Sequence, residues 1–222
     1  TLSENNVKGN LSIIVMALII VSSLGVNTNV YAKLDDTTSK QQKANVGPMA
    51  VPDTMQSGYD VHYSGTGTIQ SVSTTIDTVP GVSIPDTGNF VAFLLNTGDL
   101  TTCSGFMQDG ILETASNSWS PIYMNGQSSC FTSNITPAIT INQNNKVSFT
   151  IQHSGTTTTY TVNNISTGKT ATTSVTALST WNKNNFETMT EATSVGPTMT
   201  STTYDSSKLV DPSGSTVNIV SS

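Results

Sequence analysis

"KVSFTIQHSGTTTTYTVNNISTGKTATTSV", residues 146–175, alternates apolar and polar side chains with a period of two. Val147, Phe149 and Ile151 fall on one face, "HSGT" breaks the run, and Tyr160 and Val162 resume the pattern. Strand side chains point to opposite faces in turn, whereas a helical face recurs every three to four residues. The spacing therefore predicts a hairpin that leads through "STGK" into a third strand.

The same pattern extends outward in both directions. "GYDVHYS", "TIQSVSTTID", "NFVAFLLN", "SGFMQDGIL", "SPIYMNG", "AITIN", "NFETMTEA", "TMTSTTYD" and "STVNIVSS" are further candidate strands. Breaks of Gly, Pro, Asn or Ser-Gly separate them about every ten residues. No segment after residue 33 carries an apolar stripe of helical period. Around a dozen short strands predict an all-β fold, two antiparallel sheets packed face to face in a β-sandwich of jelly-roll, lectin-like type.

Composition limits what such a fold can do. Charged residues are 10% of the 222, apolar residues 35%, and the formal net charge is -6. There is no arginine and the lysines are scattered, so no surface for tracking phosphates emerges and nucleic acid is not an expected partner. A surface solvated by hydroxyls and amides also loses little when acid protonates carboxylates, which suits an acidic, extracellular setting.

"LSIIVMALIIVSSLGV" (11–26) follows Lys8 and precedes "NTNVYA", where Val30 and Ala32 match the small-x-small pattern of a cleavage site. Residues 1–32 are expected to be a signal peptide. A retained anchor is the alternative, although the run is about 16 residues against the roughly 20 a bilayer requires. The polar, proline-punctuated stretch 33–54 is expected to be a linker or short propeptide, and 55–222 the sandwich. The product would be secreted, monomeric and without further membrane contact.

Cys103 and Cys130 are the two cysteines. In an oxidising compartment one disulfide is expected, worth roughly 3.5 kcal/mol in the chain-entropy model, with two free thiols as the alternative. His62 and His153 stand far apart with no metal-ligand spacing, so neither a metal nor another cofactor is expected. There is no Gly-x-Ser-x-Gly and no phosphate-binding glycine loop. What remains is a set of carboxylates on or near strands: Asp60, Asp77, Asp99, Asp109, Glu113, Glu187 and Glu191. Taken singly, each is expected to be a solvated strand or turn residue.

Four segments in order carry a family resemblance. "SGYDVHYSGTGTIQSVSTTIDTVPGV" (57–82) resembles the opening strands of the secreted glutamic peptidases, the eqolisins. "SGFMQDGIL" (104–112) is similar to the segment that holds their catalytic glutamine. "YTVNNISTGKTATTS" (160–174) resembles a family hairpin, and "NFETMTEATS" (185–194) the strand with the catalytic glutamate. The match spans about 55–195. It implies that Gln108 and Glu187 are catalytic and that Glu191 corresponds to the family's second, non-catalytic glutamate. Trp119, Tyr123, Glu191 and Asn96 are then expected to contact substrate. Period two agrees in placing Glu187, Met189 and Glu191 on one face, Glu187 in a groove and Glu191 near its rim.

The resemblance implies an endopeptidase acting on polypeptides in acid. A carboxylate with a pKa near ~4.3 serves as base and then acid there. A glutamine amide is a neutral donor to the oxyanion, worth about 2.7–4 kcal/mol in the transition state.

The chain also departs from the family pattern. Gln56 and Thr188 replace tryptophans, and "FLLNTGD" (93–99) has Asn96 or Thr97 where an aspartate is expected. A non-catalytic sandwich that binds glycans is the reading from another class, and exposed Trp119 or Trp181 would mark it. A two-carboxylate glycosidase is a third. The sequons at Asn134 and Asn164 are expected to be chance matches in so Asn- and Thr-rich a chain.

Overall fold

The computed structural model describes residues 15–18, 54–62, 67–84, 89–99, 102–114, 118–126, 132–179, 185–193 and 197–219. For 15–18, 54–57, 59, 60, 62 and 219 it describes the backbone alone. The strands are β1 Val15–Leu18, β2 Thr54–His62, β3 Ser71–Ile76, β4 Val82–Ser83, β5 Phe90–Gly98, β6 Phe106–Thr114, β7 Trp119–Asn125 and β8 Ser133–Asn134. They continue as β9 Val147–Ser154, β10 Thr157–Asn164, β11 Lys169–Thr176, β12 Asn185–Thr193, β13 Thr198–Met199, β14 Tyr204–Val210 and β15 Thr216–Ile219.

Two antiparallel sheets make the sandwich. One runs β1-β2-β12-β5-β6-β7-β8 and the other β11-β10-β9-β3-β14-β15, with β4 and β13 forming a small separate pair. The expected all-β architecture is what the chain adopts. The decisive stretch forms β9, β10 and β11 in continuous register, from Ser154 opposite Thr157 to Asn164 opposite Lys169. Gly155 sits at φ 59 in the two-residue connection, the positive φ that a tight hairpin turn demands.

The core lies between the sheets because each strand turns one alternate set inward. Phe93 and Leu95 of β5, Met107 and Ile111 of β6, Phe149 and Ile151 of β9, Tyr160 and Val162 of β10, and Phe186 of β12 belong to one buried cluster. Burying each such side chain stabilises the fold by roughly 1.5–3 kcal/mol.

Two polar side chains cross this core in opposite directions. Asp109 of β6 reaches the six-stranded sheet, where its Oδ2 accepts the backbone N–H of Thr150 (3.0 Å) and of Thr161 (3.2 Å). Those two residues face each other across β9 and β10. Tyr204 of β14 reaches the seven-stranded sheet, where its hydroxyl accepts Leu94 N–H at 3.3 Å and donates to the Met189 carbonyl. Leu94 and Met189 face each other across β5 and β12.

Two strand expectations change. "AITIN" is not a strand, although Ile141 is buried in the core. Side-chain amides satisfy its backbone instead: Asn164 Nδ2 donates to Thr140 O at 2.9 Å, and Asn142 N–H donates to Asn145 Oδ1 at 2.9 Å. "TMTSTTYD" is not one strand: it holds the short β13 and, from Tyr204, the start of the longer β14. One 3-10 turn, Cys103–Gly105, precedes β6. The sequon residue Asn164 is fully buried, with its amide committed to Thr140 and Asn145.

Candidate active site

The outer face of the seven-stranded sheet, turned away from the core, carries the candidate residues. Phe186 points inward, so Glu187, Met189 and Glu191 point outward. By the same alternation Asn96 lies on the outer face of β5, and Gln108 on that of β6. Strand register then aligns them: Glu187 is opposite Asn96, and Asn96 is opposite Gln108. On either flank, Asp60 of β2 is opposite Glu187 and Met124 of β7 is opposite Gln108. Residues distant in sequence thus occupy one row across five adjacent strands.

The three central side chains are hydrogen bonded in series. Gln108 Nε2 donates to Asn96 Oδ1 at 3.1 Å, and Asn96 Nδ2 donates to Glu187 Oε2 at 3.0 Å. Gln108 and Asn96 are fully buried, while Glu187 is only half-buried and is the member that reaches the surface. Gln108 Oε1 is buried with no hydrogen-bond partner among the described residues. Such an arrangement supplies a carboxylate, a neutral amide held beside it and an unused buried acceptor.

Neighbouring contacts hold the row in place. Beyond Glu187, Thr97 Oγ1 donates to Asn185 O at 2.5 Å and Asn185 Oδ1 accepts Gly98 N–H at 3.1 Å, tying β5 to β12. The next row along the sheet is Gly58, Met189, Leu94, Gly110 and Ile122. A Cβ on Gly110 would lie 2.2 Å from the Phe93 carbonyl, and one on Gly58 would lie 1.8 Å from the Thr188 carbonyl. Only glycine fits those positions, and Gly110 is two residues from Gln108.

Several expected site residues lie elsewhere. Trp119 is buried on the inner face with its ring 5.3 Å from Phe93, and Tyr123 packs on the same face with its ring tilted against Tyr160 at 5.2 Å. Period two accounts for both, since Trp119 and Tyr123 share parity and their strand turns Ile122 and Met124 outward. A substrate-contacting role does not fit that placement. Glu191 is on the expected face but only 2% exposed, so it is not at an open rim. Asn96, expected to contact substrate, lies inside the row between Glu187 and Gln108. Trp181 and Cys130 lie outside the described residues, and among the described residues no cysteine is free.

Asp109, expected to be solvated, is fully buried. Burial pushes its carboxyl well above the usual carboxylate range, against the lowering effect of the N–H groups of Thr150, Thr161 and Gly110. The signal is present in "FMQDGIL", where Asp109 has the parity of Met107 and Ile111, two core residues. Glu113 continues that parity, is also buried, and is raised by the same desolvation. Burial likewise raises the Tyr204 phenol, with the charge of Glu187 a lesser cause in the same direction, so it stays neutral.

Among the described residues no three His, Cys, Asp or Glu side chains gather as a metal ion would need. No helix of the described residues is long and apolar enough to cross a membrane.

No protein-family model and no curated protein matches the sequence. Solved structures do match in fold. Scytalido-glutamic peptidase bound to a transition-state analogue inhibitor superposes with a TM-score of 0.56 at 17% identity, over 72% of this chain and 81% of that one. SCP-B, a member of the eqolisin family of peptidases in complex with the tripeptide Ala-Ile-His, does so with a TM-score of 0.50 at 17% identity, over 73% and 81%. At that identity the likeness shows a shared sandwich fold, distantly similar to that of the glutamic peptidases.

Proposed function

We propose that this chain is a secreted, acid-acting endopeptidase that hydrolyses peptide bonds with Glu187 and Gln108. The observation that carries the reading is the buried hydrogen-bonded series Gln108–Asn96–Glu187, assembled by register from three strands on one sheet face. Sequence resemblance nominates Gln108 and Glu187 separately, and the fold they share with the glutamic peptidases supports the pairing.

In this mechanism Glu187 takes a proton from water as the water oxygen bonds to the peptide carbonyl carbon. The carbonyl oxygen becomes an oxyanion and accepts a hydrogen bond from Gln108 Nε2. Protonated Glu187 then gives its proton to the departing amine nitrogen as the C–N bond breaks. Proton and charge balance without a cofactor, and polypeptides are the substrates. The signal peptide at 1–32, the linker at 33–54, a Cys103–Cys130 bridge and a monomeric state belong to the same proposal. The glycan-binding alternative gains nothing from Trp119, which is in the core.

The test is cleavage of a denatured protein from about pH 2 to pH 7, using the chain from Lys33 onward beside Glu187→Gln and Gln108→Ala. Acid-optimal cleavage abolished in both variants is the expected result. A folded wild type that cleaves nothing at any pH would overturn the reading.

A further inference from the structure

The hydrogen-bonded series has a direction. An ionised carboxylate only accepts hydrogen bonds, so Asn96 turns Nδ2 toward Glu187 Oε2. That commits Asn96 Oδ1 to the opposite side, where it accepts from Gln108 Nε2. Gln108 Oε1 is therefore turned away, into a buried position with no partner among the described residues. The orientation of Gln108 is dictated by an acceptor it does not touch.

We propose that Asn96 is a positioning residue that relays the ionisation state of Glu187 to Gln108, and so sets which end of its amide, Nε2 or Oε1, Gln108 turns away from Asn96. The proposal rests on the peptidase reading of this pair. With Glu187 ionised, one Gln108 N–H is held by Asn96. Protonation of Glu187 supplies an O–H donor, to which Asn96 presents Oδ1. Its Nδ2 then faces Gln108, which answers with Oε1 and carries Nε2 round to the side that Oε1 had occupied. An amide suits this post because it carries one donor end and one acceptor end and has no charge of its own. A carboxylate there would repel Glu187 and could not donate once ionised.

Among the described residues the surroundings hold few other titrating groups. Asp60 occupies the facing position on β2, Glu191 shares the outer face of β12, and the Tyr204 phenol reaches β12 from β14. Along β5 and β6 the outer face presents no ionisable side chain.

The experiment observes the side-chain amides directly. In the 15N-labelled full chain, the Asn96 and Gln108 NH2 resonances, assigned by their loss in Asn96→Ala and Gln108→Ala, are followed from about pH 3 to pH 7. Both are expected to move with one common midpoint. Glu187→Gln should abolish both movements, and Asn96→Ala should abolish that of Gln108 alone. A Gln108 amide that titrates unchanged without Asn96, or that ignores Glu187, overturns the proposal. Glu187→Gln retains Asn96 and carries the test by itself if Asn96→Ala does not fold.

Cleavage gives an independent readout. Asn96→Asp should keep activity within about tenfold of wild type while the introduced carboxyl and that of Glu187 together hold one proton, and lose it as that proton leaves. Asn96→Ala should lose about 10- to 100-fold at every pH, mainly in kcat. A purely structural role would give the two variants parallel pH profiles, which counts against the relay. Coupled amides in a folded chain that cleaves nothing would sink the peptidase reading alone. Cleavage with uncoupled amides would sink the relay alone.

Discussion

The two outer faces of the sandwich are built by the same alternation and filled in opposite ways. On the six-stranded sheet, β11, β10, β9 and β3 present a grid of hydroxyls and amides. Ser174, Thr159, Gln152 and Ser71 form one cross-strand row, and Thr172, Thr161, Thr150 and Ser73 the next. Their partners are one another, as in Thr159–Ser174 at 2.9 Å and Thr161–Thr172 at 3.4 Å. On the seven-stranded sheet the corresponding row is Asp60, Glu187, Asn96, Gln108 and Met124, with Asn96 and Gln108 buried.

Threonine favours strands and is content at a wet surface, so the first face needs no further reason for its composition. Asparagine is depleted in strands, and a buried amide costs free energy unless its donors and acceptors are matched. Polar residues ill suited to a strand, aligned on adjacent strands and bonded to each other, distinguish the second face from the solvated first.

The contrast breaks most sharply under substitution of its central pair. Glu187→Gln should reduce cleavage at least about 100-fold and Gln108→Ala about 100- to 1000-fold, in kcat more than KM. Comparable activity in either variant would make the amide row a structural network and erase the difference between the faces. Gly110→Ala comes next. Forcing a Cβ against the Phe93 carbonyl should destabilise the fold by about 1–3 kcal/mol in urea and disturb Gln108, whereas Ser148→Ala on the hydroxyl face should do neither.

Asp109 sharpens the contrast through pH. Its folded pKa is raised above the unfolded value near ~3.9, so its contribution to stability is fully present below that value. It is lost as pH rises through the folded pKa, where ionisation strands a charge in the core. Thermal stability of the wild type should therefore decline from acid toward neutrality more steeply than that of Asp109→Asn, and equal slopes would refute this. The smallest effect belongs to the hydroxyl grid. Thr159→Ala with Ser174→Ala should change stability by less than about 0.5 kcal/mol and leave cleavage untouched.

Much of this is legible in the chain, and for identifiable reasons. The period-two run 146–175 yields β9, β10 and β11 because its turns contain glycine where the backbone requires it. Parity with Phe186 places Glu187 on the outer face. Pairing is not legible: nothing in the chain says that Asn96 stands between Glu187 and Gln108, because that follows from which strands are neighbours. Resemblance expects Trp119 and Tyr123 at the substrate, whereas their strand turns both toward the core. Asp109 looks solvated when its residue type is weighed without its parity. The short strand expected at "AITIN" fails because alternation alone cannot tell a strand from a loop that buries its isoleucines.

Asp109 and Tyr204 point across the interior from opposite sheets, and each ends on a facing pair of backbone groups in the other. An apolar interior tolerates many relative placements of two sheets, since one isoleucine can substitute for another against a flat neighbour. A carboxyl and a phenol cannot be placed so freely, because a misplaced one loses its partner inside the protein. When the two layers meet during folding, a docking shifted by a residue pair would strand both groups at once. The pair therefore acts as a mutual check on assembly, with each sheet reading the alignment of the other.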